Sequence, residues 1–347
     1  MESPQPKKKL KHNSSTGDRV KLCDMGLGGD VSSPVQKQKG VAEIALISYT
    51  PDELGMLADG FSKEMLVAKC PFGEVYHGMV PNKAQEVTVV VLGNELERAD
   101  EVVEYFEGMK LLSHSIIMNH SGFAQPIGFC NGPSMWGIVF DFPSSSTLKD
   151  KLFDVTFTWS QRMMVAVRLA ESLQYLHELE PSFTIRTVDK SQIIIDEDFN
   201  PRLITFGKRS NEDFFKKPNP LYLTRYGYIA PDIGWTGSWS TKCDVFSYGI
   251  ILLELMSMSP VIDHSLGDKR YIMRRVPPRS QNGKLESAFV HEKLQHTDSY
   301  HEEDGVAVTE LALLCAAWEK EDRPDMVDIV ASLKSLEVIK DSPRLTP

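Results

Sequence analysis

The side chains best placed to do chemistry lie between Ile185 and Gly207. Arg186, Thr187, Asp189, Lys190 and Gln192 fall in one short polar stretch directly ahead of the apolar run Ile193-Ile194-Ile195. β-Branched residues favour a buried strand. The acidic segment Asp196-Glu197-Asp198-Phe199-Asn200-Pro201 has the composition of a turn. Leu203-Ile204 reads as a returning strand, and Thr205-Phe206-Gly207 as a loop that leaves it. One polar loop therefore enters a small hairpin and a second loop exits it.

The elements that must hold such a hairpin are legible on both sides of it. Val87 to Leu92 is a buried strand, and Ile138 to Phe142 a second one ending in the polar link Pro143 to Leu148. Trp159 to His177 is a strong helix with Met163, Val167, Ala170 and Leu173 on one face. A helix running from Asp244 to about Ser257 is apolar through Ile250 to Leu253, which implies burial on most sides. Thr309 to Ala317 and Met326 to Leu336 have the period of two closing helices, and Tyr49 to Ser62 that of a short amphipathic one.

With 347 residues the chain is long enough for one large domain or two lobes. A formal net charge of −10 argues against a nucleic-acid-binding body. Five scattered cysteines without a C-x-x-C pair point to reduced thiols rather than a disulfide or zinc framework. No stretch reaches the ~18 apolar residues of a membrane span. The start has neither a signal-peptide core nor the Gly at position 2 needed for myristoylation. Residues 1 to 48 are polar and are expected to form a disordered tail. Its cluster Lys7-Lys8-Lys9-Leu10-Lys11 is either a solvated charge run or a nuclear-import signal.

Read in order, these segments resemble the protein-kinase family, in particular plant receptor-like cytoplasmic kinases. Phe72, Gly73, Val75, Tyr76 and Gly78 match the family's glycine-loop strand pair. Arg186, Phe206 and Gly207 match its catalytic and metal loops. Tyr228, Ala230 and Pro231, with Asp232, match the end of its activation segment, and Arg323 matches the partner of that acid. Asp244 matches the Asp that ties the central helix to the catalytic loop. The resemblance covers roughly residues 49 to 338 and implies an α+β, bilobal kinase-like fold. It places a lead-in helix at 49–63, a small antiparallel β lobe with one key helix at about 64–142, a larger, mainly α lobe at about 143–338, and a tail at 339–347.

The same resemblance places non-family residues at the reactive positions. The phosphate-holding Lys falls on Val90 and its Glu partner on Gly108. The catalytic base falls on Thr187, and the two metal ligands on Gln192 and Thr205. Phosphoryl transfer needs a cation on the phosphates, oxygen ligands for Mg²⁺ and a base near the hydroxyl. The implied function is a pseudokinase, not an enzyme. It would scaffold or allosterically bias signalling proteins such as an active receptor-like kinase or an immune receptor, in the cytoplasm, with peripheral membrane attachment disfavoured. The alternative is an atypical Ser/Thr kinase or ATP-binding protein in which Asp189 serves as base and Lys69 replaces the missing Lys; against it, both read as solvated loop charges.

No cofactor is expected beyond weak ATP binding at a remnant pocket of Gly73, Val75, Thr88 and Ile194, with Mg²⁺-dependent binding disfavoured. Backbone groups of the interlobe link remain available to an adenine on this reading. Arg186 would either meet a phosphorylated residue, with Ser210, Tyr222 and Thr224 as available acceptors, or bond nearby carbonyls. Ile185, Leu112, Pro126 and Phe206 would form an apolar column through both lobes.

Overall fold

Thr50 opens the first helix, α1 (Pro51–Leu57), in the computed structural model. Its hydroxyl accepts the Glu53 N–H at 3.2 Å, and the Glu53 carboxylate accepts the Thr50 N–H at 2.8 Å. This reciprocal cap satisfies two otherwise orphaned donors, and Pro51 fits the first turn because it has no N–H to lose. The helix is shorter than its apolar period suggests. Gly60 and Phe61 adopt φ of 66° and 61°, so a 3₁₀ turn at Asp59–Phe61 follows instead. The structure describes residues 46–341 apart from 71–72, 82, 93–119, 133–134, 145, 181, 205–207 and 210–225.

Helix α1 lies on a six-stranded sheet built from β1 (Ile47–Ser48), β2 (Leu66–Cys70), β3 (Gly73–Val80), β4 (Gln85–Leu92), β5 (Pro126–Asn131) and β6 (Trp136–Phe140). The strand order is β1-β5-β6-β4-β3-β2, antiparallel except for the β1–β5 pair. Leu54, Leu57 and Ala58 bury against Tyr76, Val87, Val89, Cys130 and Val139 on one face. Because strand side chains alternate, Val90 and Leu92 point to the other face, where the sheet meets the rest of the chain.

The edge strand β1 corrects the lower boundary expected from sequence. Ile47 and Ser48 belong to the sheet, not to a tail ending at residue 48. Gly128 makes the approach possible, since a Cβ there would lie 2.4 Å from the Tyr49 ring and 2.7 Å from the Ile47 carbonyl.

The larger part is mainly helical. Helix α2 (Trp159–His177) begins at a Thr158/Gln161 reciprocal cap and has the expected bounds. Helix α3 (Thr241–Ser257) is buried from Cys243 to Ser257. Arg162 on α2 is fully buried and donates to the carbonyls of Leu152, Asp154, Phe157 and Leu255, tying α2 to the end of α3. Burial lowers the pKa of its guanidinium to about 10. Helices α4 (Glu302–Cys315) and α5 (Met326–Lys334) pack on α3 and α2 respectively.

A final turn, α6 (Glu337–Lys340), buries Val338 and Ile339. The Asp304 carboxylate accepts its first two N–H groups at 3.0 and 2.9 Å. The domain therefore runs past 338, and the expected tail at 339–347 begins too early. The start of α4 was hidden from apolar periodicity because its first turn is Glu302, Glu303 and Asp304.

After β7 (Ser146–Thr147) and β8 (Phe183–Thr184), the hairpin of β9 (Ile193–Ile195) and β10 (Pro201–Leu203) pairs Ile193 with Leu203, and β7 adds a third strand. The inner face of the sheet and this hairpin share one core, in which Val75, Val90 and Phe140 meet Ile194 and Ile204. Among the described residues no helix is long and apolar enough to cross a membrane.

If α1 is an integral part of the small lobe, Leu54→Ala removes a fully buried side chain and destabilises the protein by about 2–5 kcal/mol in urea unfolding. A loss below about 0.5 kcal/mol, the usual range for surface substitutions, would make α1 an appendage.

Candidate functional site

Asp244, fully buried near the start of α3, organises the polar loop that precedes β9. Its Oδ2 accepts the Ile185 N–H at 2.8 Å and lies 3.0 Å from His177 Nε2. One turn along, the Ser247 hydroxyl accepts the Val188 N–H at 3.1 Å. The two contacts hold residues 185 to 188 against α3. Arg186 takes φ 72° and is buried, with its guanidinium 5.7 Å from the centre of the Trp239 ring. Thr187 is fully buried.

Asp189 and Gln192 close on each other around a 3₁₀ turn, Lys190–Gln192. Asp189 Oδ1 accepts the Ser191 N–H at 2.8 Å and also the Ser191 hydroxyl. The Asp189 N–H donates to Gln192 Oε1 at 3.0 Å, and the Gln192 carbonyl accepts the Ile204 N–H at 3.0 Å. Asp189 is only 4% exposed, so the expectation of a solvated loop charge is corrected. Lys69 does match that expectation: its side chain is 71% exposed and pairs with Glu74 at 2.6 Å.

Lys190, named above only as part of the polar stretch, takes its role from a partner distant in sequence. Its ammonium lies 2.5 Å from Glu254 Oε1 on α3, which also accepts the Val261 N–H at 2.8 Å. The Tyr228 hydroxyl donates to Glu254 Oε2 at 2.5 Å. Burial pushes the Glu254 carboxyl above its ordinary value, and Lys190, Tyr228 and Val261 pull it back. Burial and the Glu254 charge raise Tyr228 well above the usual phenol range. A lone Glu inside the apolar run Ile250 to Met256 was the available signal, since a buried carboxylate needs a partner.

The described side chains of the cleft roof are buried and mostly apolar. Val75, Thr88 and Val90 are fully buried, and Ile194 is 1% exposed. The Thr88 hydroxyl donates to the Phe142 carbonyl at 2.9 Å. Gly73 has φ 151°, and a Cβ there would lie 2.0 Å from the Val91 carbonyl. Its glycine is demanded by the β3–β4 crossing. Cys70 Sγ lies 3.0 Å from the Ser191 carbonyl and donates to it, joining the end of β2 to the Lys190 turn.

The interlobe link is also used internally. The Asp141 N–H donates to Gln125 and the Phe142 N–H to Phe140, at 2.9 and 3.0 Å. Pro143 carries no N–H. Of the backbone groups that an adenine could meet here, the N–H groups of Asp141 and Phe142 are thus engaged within the chain.

Asp232 and Arg323 form the buried pair expected of them, at 2.7 Å. Arg323 also donates to the carbonyls of Ala317, Lys242 and Trp318, which spreads its charge over fixed dipoles. Gly108, Leu112, Thr205, Phe206, Gly207, Ser210, Tyr222, Thr224 and the Lys7–Lys11 cluster lie outside the described residues. Of the expected column, Pro126 and Ile185 are described and buried.

A two-lobed body with its hairpin loop anchored to a buried central helix agrees with a sequence-family match. Residues 61–333 match the protein tyrosine and serine/threonine kinase family. This chain belongs to that family. It is 29% identical over 308 residues to PBL15 of Arabidopsis thaliana, named as a probable serine/threonine-protein kinase, covering 85% of this chain and 71% of the relative. It is 27% identical to the serine/threonine-protein kinase CDG1 of the same plant, covering 81% of this chain and 66% of the relative. It is 30% identical to the LRR receptor kinase SERK2 of rice, covering 81% of this chain and 47% of the relative, so it spans about half of that receptor's length.

These names correct one expectation. The reading of the chain as not an enzyme rested on missing side chains alone, whereas its family and the relatives just described are named as kinases. The kinase-like α+β bilobal fold stands.

Lys190→Met would leave Glu254 buried without its cation, at a cost of about 3–5 kcal/mol. A carboxyl whose folded pKa is raised contributes stability below its ordinary 4.5 and loses it as pH rises. Losing Lys190 raises that pKa further. The deficit against the parent protein should be smallest near pH 5 and grow toward pH 8 in denaturant titrations; a pH-independent deficit would remove Glu254 from the account.

Proposed function

We propose that this chain acts in receptor-kinase-type signalling as a kinase-family protein whose main output is binding and allosterically biasing protein partners, with phosphoryl transfer far slower than in its relatives. The observation that carries the reading is Val90. It is fully buried in the shared core at the position where the resemblance puts the phosphate-holding cation. Lys69, the nearby cation proposed as a substitute, is instead paired with Glu74.

The other groups around the cleft support the same reading. Gln192 turns its side-chain oxygen to the Asp189 N–H, Thr88 is bonded to the link, and the Cys70 thiol holds the roof to the Lys190 turn. These residues do not fit a firmly held nucleotide with Mg²⁺, which binds through carboxylate oxygens and phosphates. Loss of a general base alone slows such a transfer by about 10²–10⁴. Weak ATP binding without Mg²⁺ dependence belongs to this proposal. So do a cytoplasmic location and an active receptor-like kinase or immune receptor as partner. Nuclear import through Lys7–Lys11 is the further possibility that the basic cluster suggests.

A second reading, Ser/Thr phosphoryl transfer with Asp189 as base, has one observation in its favour. The family and the relatives described above are named as kinases, and Asp189 is the carboxylate of the polar loop ahead of the Ile193–Ile195 strand.

Thermal melting with millimolar ATP, with and without Mg²⁺, separates the two. A ligand at 100 times its Kd would add about 2.7 kcal/mol of stability. The expected result is a much smaller, Mg²⁺-independent shift, together with an altered rate of a receptor-kinase partner when the chain is added. A large Mg²⁺-dependent shift, with transfer abolished by Asp189→Asn, would replace the proposal by the second reading.

A further inference from the structure

A polar cavity of about 340 Å³ lies between α2, the start of β10 and the segment 120–122. Small-molecule sites span roughly 300–1,000 Å³, so this one suits a small ligand. None of its lining residues belongs to the cleft described above.

The fold fixes its walls. Gly122 lies flush against α2, because a Cβ there would fall 1.8 Å from Ser172 Oγ. The Gly122 carbonyl accepts the Leu203 N–H at 2.9 Å, and the Ala124 N–H donates to the Leu203 carbonyl at 2.9 Å, so this segment runs along β10. His120 stacks on Tyr175 of α2 with ring centres 4.7 Å apart. Its Nδ1 accepts the Gly122 N–H at 3.2 Å. Burial lowers the His120 pKa against the opposing charge of Glu171, so the ring is neutral at pH 7 and carries its proton on Nε2.

Two guanidiniums line the cavity from different elements, Arg168 on α2 and Arg202 on β10, and both are half-buried. Among the described residues the Arg202 side chain has no hydrogen bond or ion pair; its guanidinium lies 5.6 Å from the centre of the Phe142 ring. The Arg168 side chain donates to Asn200 Oδ1 alone among those residues. A guanidinium has five N–H donors, so most of theirs are unused within the chain.

The nearby acids are committed elsewhere or stand outside. Glu171 is the one carboxylate among the lining residues, and it pairs with Lys334 of α5 at 2.6 Å. Asp196 accepts the Asp198 and Asn200 N–H groups at 3.0 and 2.8 Å and the Asn200 side-chain amide at 2.9 Å, which leaves the Asn200 oxygen for Arg168. Glu197 and Asp198 are exposed on the same turn and do not line the cavity. Two half-buried cations therefore share one volume without a carboxylate of their own.

We propose that this cavity binds a small phosphate monoester, with its dianion between Arg168 and Arg202. Guanidinium forks match phosphate oxygens in pairs. A carboxylate brings two oxygens and one charge, enough for one fork; a phosphate monoester brings three oxygens and close to two charges. Ser121 at the exposed rim and the neutral His120 ring add donors for the rest of the ligand. The occupant would join α2, β10 and the segment that leads into β5. The inference is independent of the partner binding proposed above.

The test is isothermal titration calorimetry of the full chain with glycerol 3-phosphate, with glycerol as the control. The ester should bind saturably with Kd below about 1 mM, and glycerol should not. Arg168→Gln and Arg202→Gln should each weaken binding about tenfold or more. Ser121→Glu, which adds a carboxylate at the rim and leaves both guanidiniums in place, should also weaken it. Glu171→Gln, which removes the one lining carboxylate, should tighten it about threefold. That gain cannot come from misfolding, so it decides the matter if either arginine variant melts early.

Absence of binding up to millimolar ester, equal binding of glycerol, or parent-like affinity in both arginine variants would each overturn the proposal. Should those variants melt early, parent-like affinity in Ser121→Glu and Glu171→Gln would overturn it as well. So would a phosphoserine peptide that binds where glycerol 3-phosphate and O-phosphoserine do not, because the phosphate would then belong to a protein partner.

Discussion

The buried carboxylate of Asp244 is the constraint on which the site depends. It has no exposure to water, so its charge must be met by protein donors, and the Ile185 N–H and His177 meet it. That requirement fixes where the loop starts relative to α3. With the Ser247–Val188 contact one turn later, it sets the direction in which Arg186 and Thr187 leave the helix. The left-handed backbone at Arg186 is held by this over-determined frame.

A second polar anchor lies farther along the same helix. Glu254 joins Lys190 of the loop, Tyr228 of the Gly227–Pro231 segment, and the backbone of Val261. A carboxylate this deep would be costly alone, and each partner lowers that cost. One side chain thereby fixes three separate segments at once. The Asp232–Arg323 pair does the same for the start of α3 and the turn before α5, because Arg323 adds three backbone carbonyls to its one carboxylate.

The cleft between sheet and hairpin is shaped by what its side chains lack. A Lys at position 90 would require a buried anion; Val90 requires only apolar neighbours, and the shared core supplies them. Thr88 then spends its hydroxyl on the Phe142 carbonyl, and the Cys70 thiol reaches the Ser191 carbonyl across the gap. The result is a kinase-family frame in which small neutral groups hold the sheet against the hairpin.

The larger pieces are legible in the residues alone. The III strand, the α2 helix and the buried α3 helix follow from β-branching and apolar period, which are local properties. Motif order disclosed the family, including the Asp232–Arg323 and Asp244 positions. It misjudged both ends of the fold, which depend on contacts distant in sequence. The chain enters the sheet at Ile47 because Gly128 leaves room for it, and it leaves the fold after α6 because Asp304 caps that turn. Enzyme class could not be read from replaced side chains alone. Asp189 reads in sequence as a loop charge; only the tertiary structure turns it inward onto Ser191, and only the structure pairs Lys190 with Glu254 across 64 residues. Burial is decided by packing from several segments at once, and a polar side chain's partner is whichever donor or acceptor that packing brings within reach.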